Sequence, residues 1–421
     1  MTADGGRSGA RAALARAPFA PRGLRAMPPR VHRAAWAFAA IVLAGLALRP
    51  RFGDELVLTR YTGYVMPWLL AGLLPGAAWA WRARRRALAA VLGVSAAAIA
   101  VAHAPLFRPR PAIAAPAAGT LRVMSYNTWS RNGDARRIAG VIRAQAPDVL
   151  LLQEIPPPVF ERLVDALRDL YGGSTVHFTY EPELQQAVLS RHPLEPRASL
   201  ADKGQAQHVV VRSPAGPIAV FNVHPLRTGG WRHRYRQIAA LLEEDVLPER
   251  SPVILGGDFN VNDRAELYRL VASRLENAHD AAGFGFGFTY PAAVRVLAAL
   301  PAPPMARIDH LFFSAQLVAL RAGTLADSGG SDHRPVFAVL APRQPVSGEP
   351  RRGTAQHGTW PPPSTSTPSV AARGSALTAI PATPRGTRRR ARPGRSPGGP
   401  RRGRARRTER GGTQDEGGLL P

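Results

Sequence analysis

The stretch Ser251-Pro-Val-Ile-Leu-Gly-Gly-Asp-Phe-Asn-Val261 joins a short apolar run to polar residues that follow it directly. The apolar run at residues 253–255 predicts a buried strand. The two glycines after it allow the backbone to approach a neighbouring segment closely. Asp258 and Asn260 then present a carboxylate and an amide at the strand end, which suits the binding of a water molecule beside a phosphate. A Gly-Asp-x-Asn string also forms ordinary turns, so the rest of the chain must decide between these interpretations.

Residues 121–340 alternate strand-like runs with helical periodicities, and their length of about 220 residues is sufficient to bury a full core. Polar side chains stand at the ends of the predicted strands. They are Asn127, Glu154, His224, Asp258, Asn260, Asp309, Asp332 and His333. Ligand sites of open α/β sheets lie at strand ends, so we expect these side chains to lie together. Each one alone also fits a turn residue, a cap or a locally bonded histidine.

The oxygen-bearing members of this set fit a site for a hard divalent cation. Mg²⁺ takes oxygen ligands, and it usually uses one or two carboxylates while water and substrate phosphate complete its shell. Glu154 and the side-chain carbonyl oxygen of Asn127 fit that role. Asp258 is then the candidate that positions and deprotonates the attacking water.

The two histidines fit the phosphate side of the same reaction. An imidazole held by a carboxylate can bind a phosphate oxygen, and His333 with Asp309 would form such a pair. His224 would supply a second donor to the phosphate. Together with the acidic residues, these histidines predict a phosphoesterase that depends on Mg²⁺.

Seven short motifs carry a resemblance to a known family, and they occur in that family's order over residues 121–340. They are Ser125-Tyr-Asn-Thr128, Leu152-Gln-Glu-Ile155, Val188-Leu-Ser-Arg-His-Pro-Leu194, Asn222-Val-His224, Gly256-Gly-Asp-Phe-Asn260, Ile308-Asp-His310 and Ser331-Asp-His-Arg-Pro335. The chain therefore resembles the endonuclease/exonuclease/phosphatase superfamily of metal-dependent phosphoesterases. The resemblance implies a four-layer α/β sandwich over residues 121–341, in which two packed mixed sheets are flanked by helices.

The resemblance also implies roles for individual residues. It implies Mg²⁺ or Mn²⁺ at Glu154 and Asn127, with Asp332 beside the metal. It implies that Asp258 and Asn260 orient the water and that a phosphate-facing His333 is paired with Asp309. A histidine at the position of His224 is typical of lipid phosphodiesterases and several other branches. The tyrosine motif of abasic-site nucleases is not found in this sequence.

Three apolar stretches precede this region, at residues 34–48, 61–81 and 87–107. The last two contain no formal charge and are long enough to cross a bilayer, which takes about 20 residues. The first is shorter, but the arginines on both sides of it can reach the lipid headgroups. We therefore expect a membrane anchor of three transmembrane helices over residues 34–107. The first stretch alone also fits a signal peptide, and the other two also fit a buried helical hairpin.

The topology of this anchor follows from the loop Arg82-Ala-Arg-Arg-Arg86. The positive-inside rule places that loop in the cytoplasm. The basic leader at residues 1–33 then lies on the same side, and the chain leaves the membrane on the opposite side through a Pro/Ala linker at residues 108–120. These features predict a multi-pass cell-membrane protein with an extracytoplasmic catalytic domain. That architecture resembles the VanJ-like, membrane-bound members of the superfamily.

The positive charge of the chain lies outside its central region. The formal net charge is +26, yet residues 120–341 carry 22 arginines and one lysine against 22 acidic residues. A nucleic-acid-binding core would be expected to carry its own basic surface, so nucleic acid is the less favoured substrate. The tail at residues 342–421 is rich in arginine, proline and glycine and is expected to be disordered. Because the chain has no cysteine, disulfides and thiolate zinc sites are excluded.

Three hypotheses for the function remain. The first is a phosphoesterase that uses the lipid bilayer as a partner and cleaves a phosphate ester near it, such as a lipid or isoprenoid phosphate. The second is a surface-anchored nuclease with the same catalytic set, and the third is a non-catalytic tethered binding protein on the same fold. The segment Gly283-Phe-Gly-Phe-Gly-Phe-Thr-Tyr290 fits either a loop on the substrate side or aromatic rings packed on the core.

Overall fold

The computed structural model describes residues 28–110, 119–172, 177–226, 228–292, 295–296, 300–301 and 303–343. Most of the leader predicted to be disordered, part of the linker and nearly all of the tail lie outside these residues. The leader prediction is wrong at its end, because the first helix already begins at Pro29. Proline is favoured in the first turn of a helix, where its missing N–H costs no hydrogen bond.

Three helices form the N-terminal part of the described chain. They are α1 (Pro29–Phe52), α2 (Val57–Arg82) and α3 (Arg86–His103), and a 3₁₀ turn (Ala104–Phe107) follows α3. Their facing sides bury a cluster of apolar side chains that includes Val42, Leu73, Leu92 and Ile99. We call these three helices the helix bundle.

The prediction of three apolar spans holds only in part. Among the described residues, two helices are long and apolar enough to cross a membrane, Pro29–Phe52 and Arg86–Phe107. The helix α2 has the length but not the hydropathy, because its tyrosines, tryptophans, glycines and two prolines dilute the leucines. All three predicted stretches therefore lie in helices, but only α1 and α3 are apolar enough to cross a membrane by composition.

The remaining described residues form an α/β domain. Its helices are α4 (Ala135–Gln145), α5 (Pro157–Ala166), α6 (Gly230–Leu241), α7 (Glu266–Ala272) and α8 (Ala278–Ala282). Its strands are β1 (Leu121–Asn127), β2 (Val149–Gln153), β3 (His177–Glu181), β4 (Gln186–Ser190), β5 (Leu194–Leu200), β6 (Ala206–Ser213), β7 (Gly216–Val223), β8 (Val253–Asp258), β9 (Glu276–Asn277), β10 (Arg295–Val296), β11 (Leu300–Pro301), β12 (Asp309–Phe313), β13 (Leu317–Thr324) and β14 (Val336–Pro342).

The main strands form two mixed six-stranded sheets. The first has the order β13-β14-β1-β2-β4-β3 and the second the order β5-β6-β7-β8-β12-β9. Each sheet contains one parallel pair, β1 with β2 in the first and β7 with β8 in the second, and the other pairs are antiparallel. The predicted α/β class and the two mixed sheets are confirmed.

Apolar side chains fill the three spaces between the helices and sheets of the domain. One cluster joins the two sheets and includes Val123, Leu151, Val220 and Ile254. A second cluster packs the outer face of the first sheet against α4 and α5, and a third packs the second sheet against α6 and α7. Because both faces of the central strands are covered, their sequences read as continuous apolar runs.

Gly257 shows why the opening stretch needs glycine at its strand end. Its φ is +150°, and a Cβ at this position would lie 1.9 Å from the carbonyl oxygen of Val223 in the neighbouring strand. Strands β7 and β8 run parallel here, with Val223 opposite Gly257. The missing side chain therefore lets the two strand ends that carry His224 and Asp258 approach each other.

Candidate functional site

The topology brings the predicted site residues to one edge of the domain. The parallel strands β1 and β2 place Asn127 opposite Gln153, which precedes Glu154. The antiparallel pair β8 and β12 places Asp258 directly opposite Asp309. Because the two sheets pack face to face, the residues from the first sheet meet those from the second.

Asn127 links the acidic groups of the two sheets. Its Nδ2 lies 3.0 Å from Glu154 Oε1 and 3.0 Å from Asp258 Oδ2, so one amide donates to both carboxylates. Asn127 and Asp258 are fully buried, whereas Glu154 is half-buried and faces the opening. The backbone N–H of Ser130 donates to the second Glu154 oxygen at 3.2 Å.

His224 closes one side of this acidic group. Its Nε2 lies 3.5 Å from Glu154 Oε1 and 3.7 Å from Asp258 Oδ2. One ligand atom from each of Glu154, His224 and Asp258 lies within 4.8 Å of the others. The three groups thus surround a space of the size that one metal ion requires.

His333 closes the opposite side and is held by Asp309. Its Nδ1 lies 2.9 Å from Asp309 Oδ2, and its Nε2 lies 3.7 Å from Asp258 Oδ2. Burial lowers the pKa of His333, but the neighbouring Asp309 and Asp258 carboxylates outweigh that effect and raise the pKa to about 10. These carboxylates favour the protonated ring, which can donate to a phosphate oxygen through Nε2 while Nδ1 faces Asp309.

Asp332 supplies a further carboxylate at the same place. Its Oδ1 lies 4.0 Å from His333 Nε2, and this buried oxygen finds no hydrogen-bond partner among the residues that the structure describes. An unpartnered buried carboxylate oxygen beside two further carboxylates fits the oxygen donor set of Mg²⁺ or Mn²⁺. The donor set of the site therefore suits the predicted divalent cation, which Glu154, His224 and Asp258 would surround, with Asp332 as a further carboxylate nearby.

Two predicted side chains are oriented differently from the expectation. The Oδ1 of Asn127 accepts from the Trp129 N–H at 3.0 Å, so its nitrogen and not its expected oxygen faces the carboxylates. The Nδ2 of Asn260 donates to the carbonyl of Pro225 at 3.2 Å, and its backbone N–H donates to Asp258 Oδ1 at 2.8 Å. Asn260 therefore fixes the Asp258 carboxylate and the loop after His224.

The backbone is unusual at three positions around the site. Trp129, Glu154 and Asn260 have positive φ angles of 63°, 52° and 54°. A non-glycine residue in this left-handed region costs energy and tends to occur where function requires it. These angles turn the chain sharply after β1, β2 and β8, directly where the polar side chains must face the opening.

Supporting contacts come from three residues that were not among the predicted site residues. The Oγ of Ser331 donates to the Asn127 carbonyl at 2.7 Å and accepts from the His333 N–H at 3.0 Å. The Oγ1 of Thr289 accepts from the Asp309 N–H at 3.4 Å, and the Tyr290 ring lies 5.0 Å from the His333 ring. The motif Ser331-Asp-His-Arg-Pro335 includes Ser331 and could have pointed to it. The contact between Thr289 and Asp309 could not have been found from their spacing in the sequence.

A sequence profile of the Endonuclease/Exonuclease/phosphatase family matches residues 124–333, the stretch that contains every group described above. Residues 124–333 form an endonuclease/exonuclease/phosphatase domain. The position of the acidic and histidine residues at one edge of two packed sheets agrees with that assignment. No curated protein matches the chain.

Solved structures with similar folds include other endonuclease/exonuclease/phosphatase proteins. One from Bacteroides vulgatus is 18% identical, with a TM-score of 0.43, and covers 54% of this chain and 100% of its own. The mannosyl-6-phosphatase of Bacteroides thetaiotaomicron is 20% identical, with a TM-score of 0.42 and coverages of 52% and 99%. D. rerio TDP2 complexed with a single-strand DNA product is 16% identical, with a TM-score of 0.42 and coverages of 52% and 98%.

The charge state of Asp332 predicts how metal binding depends on pH. Burial raises the pKa of Asp332 to about 6; the charge of His333 opposes this rise, and the Glu154 and Asp258 carboxylates add to it. A cation binds the deprotonated carboxylate, so the affinity of the site for the metal is highest above this pKa and falls as the pH drops through it. We expect Mn²⁺ to bind about tenfold more weakly at pH 5 than at pH 7.

Titration calorimetry in buffers of different ionisation enthalpy measures both the affinity and the proton release. The Asp332→Asn variant should bind Mn²⁺ more weakly and show a flatter dependence between pH 5 and pH 7. The surface variant Asp165→Asn, whose side chain is 73% exposed, should follow the wild type. A Mn²⁺ affinity that does not change over this range would contradict the role of Asp332.

Proposed function

We propose that the protein is a membrane-anchored phosphoesterase that depends on a divalent metal and hydrolyses a lipid or isoprenoid phosphate ester outside the cytoplasm. The observation that carries the proposal is the convergence of Glu154, Asp258, His224 and His333 at one opening. A bound Mg²⁺ or Mn²⁺ would neutralise charge on the phosphate and its leaving oxygen. The chain's own residues perform the remaining tasks.

These tasks follow from the charge and position of each residue. Asp258 is a carboxylate at the centre of the cluster and would accept a proton from the attacking water. The protonated His333 and the neighbouring His224 would bind phosphate oxygens and stabilise the negative charge that develops there. Asn127 would hold the two carboxylates at a fixed separation, because its amide nitrogen donates one hydrogen to each of them.

The helix bundle supports a substrate at the membrane surface. The aromatic segment at residues 283–290 packs on the helix bundle: the Phe286 ring lies 5.0 Å from Phe107 after α3, and the Phe288 ring lies 5.7 Å from Trp68 within α2. Trp68 also donates to the Met305 carbonyl at 2.9 Å. Phe284 lies beside Phe107 and is 66% exposed. The sequence allowed either a loop on the substrate side or rings packed on the domain core. The rings instead pack on the helix bundle.

The direction of the helices supports an extracytoplasmic domain. The junction of α2 and α3 carries Arg82 at the end of α2, Arg84 and Arg85 in the turn and Arg86 at the start of α3, and it lies at one end of the bundle. The domain contacts the bundle away from this turn, at Gly63, Tyr64 and Trp68 in the first half of α2 and at Ala102 in the last turn of α3. With the basic turn in the cytoplasm, the domain lies on the opposite side. In this proposal α2 also crosses the bilayer, covered on one side by α1 and α3.

A substrate comparison with the full-length protein in lipid nanodiscs tests the proposal. We expect Mg²⁺-dependent phosphate release from a long-chain lipid or isoprenoid phosphate, with kcat/KM about 10²-fold above that for a short-chain analogue, because the anchor concentrates enzyme and substrate in one surface. Plasmid DNA and nucleotides are compared under the same conditions. A reporter fused after Thr120 should be active only outside the cytoplasm.

The other outcomes identify the alternatives. Metal-dependent degradation of plasmid DNA without cleavage of lipid phosphates would favour the surface-anchored nuclease. Binding of a phosphate ester without turnover of any substrate would favour the non-catalytic binding protein. Reporter activity in the cytoplasm would contradict the proposed location.

A further inference from the structure

The chain that leaves strand β8 is first held by the domain core through Phe259 and Val261, and from Asn262 onwards it also contacts the helix bundle. We call residues 261–266, which follow Asp258 and Asn260 and lead into α7, the docking segment. Asn262 of this segment is 5% exposed, and its Nδ2 lies 3.3 Å from the main-chain oxygens of both Gly63 and Tyr64 in α2. Its Oδ1 accepts from the Arg264 N–H at 3.1 Å.

The sequence of α2 explains why a carbonyl is free at this place. In an α-helix the carbonyl of residue 63 would accept from the N–H of residue 67, but residue 67 is Pro67, which has no N–H. The Gly63 oxygen therefore needs a donor from elsewhere, and Asn262 supplies it. The absence of a side chain at Gly63 also leaves room for Arg49, since a Cβ there would lie 2.4 Å from the Arg49 guanidinium.

Arg49 and Arg264 extend this contact to the other two helices. Arg49 is 7% exposed, donates to the Arg264 carbonyl and forms an ion pair with Asp54 at 3.2 Å. Arg264 donates in turn to the carbonyl of Ala102 at 3.0 Å. Ala102 lies in the last turn of α3, where carbonyls lack partners within the helix and a positive charge is favourable.

Asp54 fixes the far end of the docking segment. Its Oδ2 accepts from the Glu266 N–H at 2.7 Å, at the first residue of α7. A carboxylate at a helix start satisfies one of the N–H groups that have no partner within the helix. The turn between α1 and α2 therefore supplies a capping group to a helix of the catalytic domain. All three helices of the bundle thus hold the six residues that follow Asn260.

We propose that the helix bundle is a positioning element of the catalytic centre, and that Asn262, Arg264, Arg49 and Asp54 are positioning residues. This inference rests on the proposed function of the Asp258 cluster. The bundle fixes the docking segment, the docking segment fixes Asn260, and the Asn260 N–H fixes the Asp258 carboxylate. Detachment of this segment would leave the metal ligands in place but would loosen the group that aligns the water.

The test uses two variants that break the same contact from opposite sides. Pro67→Ala restores an N–H that competes with Asn262 for the Gly63 oxygen, and Asn262→Ala removes the donor. Pro75→Ala is the matched control, because Pro75 lies in the same helix about 12 Å farther from the contact. Each full-length protein is assayed in nanodiscs with a water-soluble aryl phosphate ester, and hydrogen exchange is measured at the amides of residues 259–264.

We expect both variants to lower kcat about tenfold with KM nearly unchanged, because a small misalignment of a reacting group is costly. Exchange at residues 259–264 should become faster in both variants, while Pro75→Ala should match the wild type in both measurements. A wild-type kcat with wild-type exchange in either variant would overturn the inference. If one of the two variants does not fold, kcat and hydrogen exchange of the other variant test the inference. A wild-type protein that cleaves no phosphate ester would instead reject the proposed function, and the exchange result would still report on docking.

Discussion

Replacing Asp258 with Asn is expected to lower kcat about 10³-fold while leaving the protein folded. Asp258 is 1% exposed and lies between the two histidines, with Oδ2 3.7 Å from both His224 Nε2 and His333 Nε2. The amide keeps the shape of the side chain and can still accept from the Asn260 N–H. It cannot take a proton from water, so the loss should fall on the chemical step and leave KM little changed.

Steady-state kinetics at saturating Mg²⁺ measure this effect, and circular dichroism verifies the fold. Asp165→Asn is the matched control, since the Asp165 side chain is 73% exposed and pairs with Arg168 at 2.8 Å on the surface of α5. A variant of Asp258 with more than about a tenth of the wild-type kcat would be inconsistent with proton transfer to this carboxylate.

Replacing Glu154 with Ala is expected to abolish stimulation by Mg²⁺ and to weaken Mn²⁺ binding about 10²-fold or more. The Glu154 carboxylate lies at the opening of the cluster, with Oε1 3.0 Å from Asn127 Nδ2 and 3.5 Å from His224 Nε2. It is half-buried, so its removal leaves a solvated space and should cost little stability. The expected loss is therefore one of metal affinity and activity in a folded protein.

Activity is measured as a function of Mg²⁺ concentration for the wild type, Glu154→Ala and the control Glu161→Ala. Glu161 is exposed on α5 and should behave as the wild type. Undiminished turnover by Glu154→Ala at low Mg²⁺ would reject Glu154 as a metal ligand and would direct attention to Asp332.

The sequence pattern indicates which edge of the domain carries the polar cluster, because that edge is built from strand ends. Apolar runs such as residues 149–152 and 253–255 are buried on both faces, and their ends must emerge at the sheet boundary. A polar residue shortly after such a run, such as Glu154 or Asp258, is therefore expected at the edge of the sheet. The parallel pairs β1–β2 and β7–β8 bring those ends to the same boundary.

The parts that the sequence did not predict depend on contacts between distant residues. The edge strands β3, β5 and β13 have weak or half-exposed patterns, and pairing with a neighbour determines them more than composition does. The orientation of the Asn127 amide depends on the hydrogen bond from the Trp129 N–H, and Trp129 has a left-handed backbone conformation. Asn262 reads as an ordinary loop residue until Pro67, almost 200 residues earlier, is seen to free a carbonyl.

An anomalous difference map of full-length protein crystals soaked in Mn²⁺ shows whether the cluster holds a metal ion. We expect one strong peak at about 2.0–2.2 Å from a carboxylate oxygen of Glu154, inside the group formed by Asp258, Asp332 and the two histidines. A peak at a different surface, or an empty cluster at millimolar Mn²⁺ and pH 7, would refute the metal site.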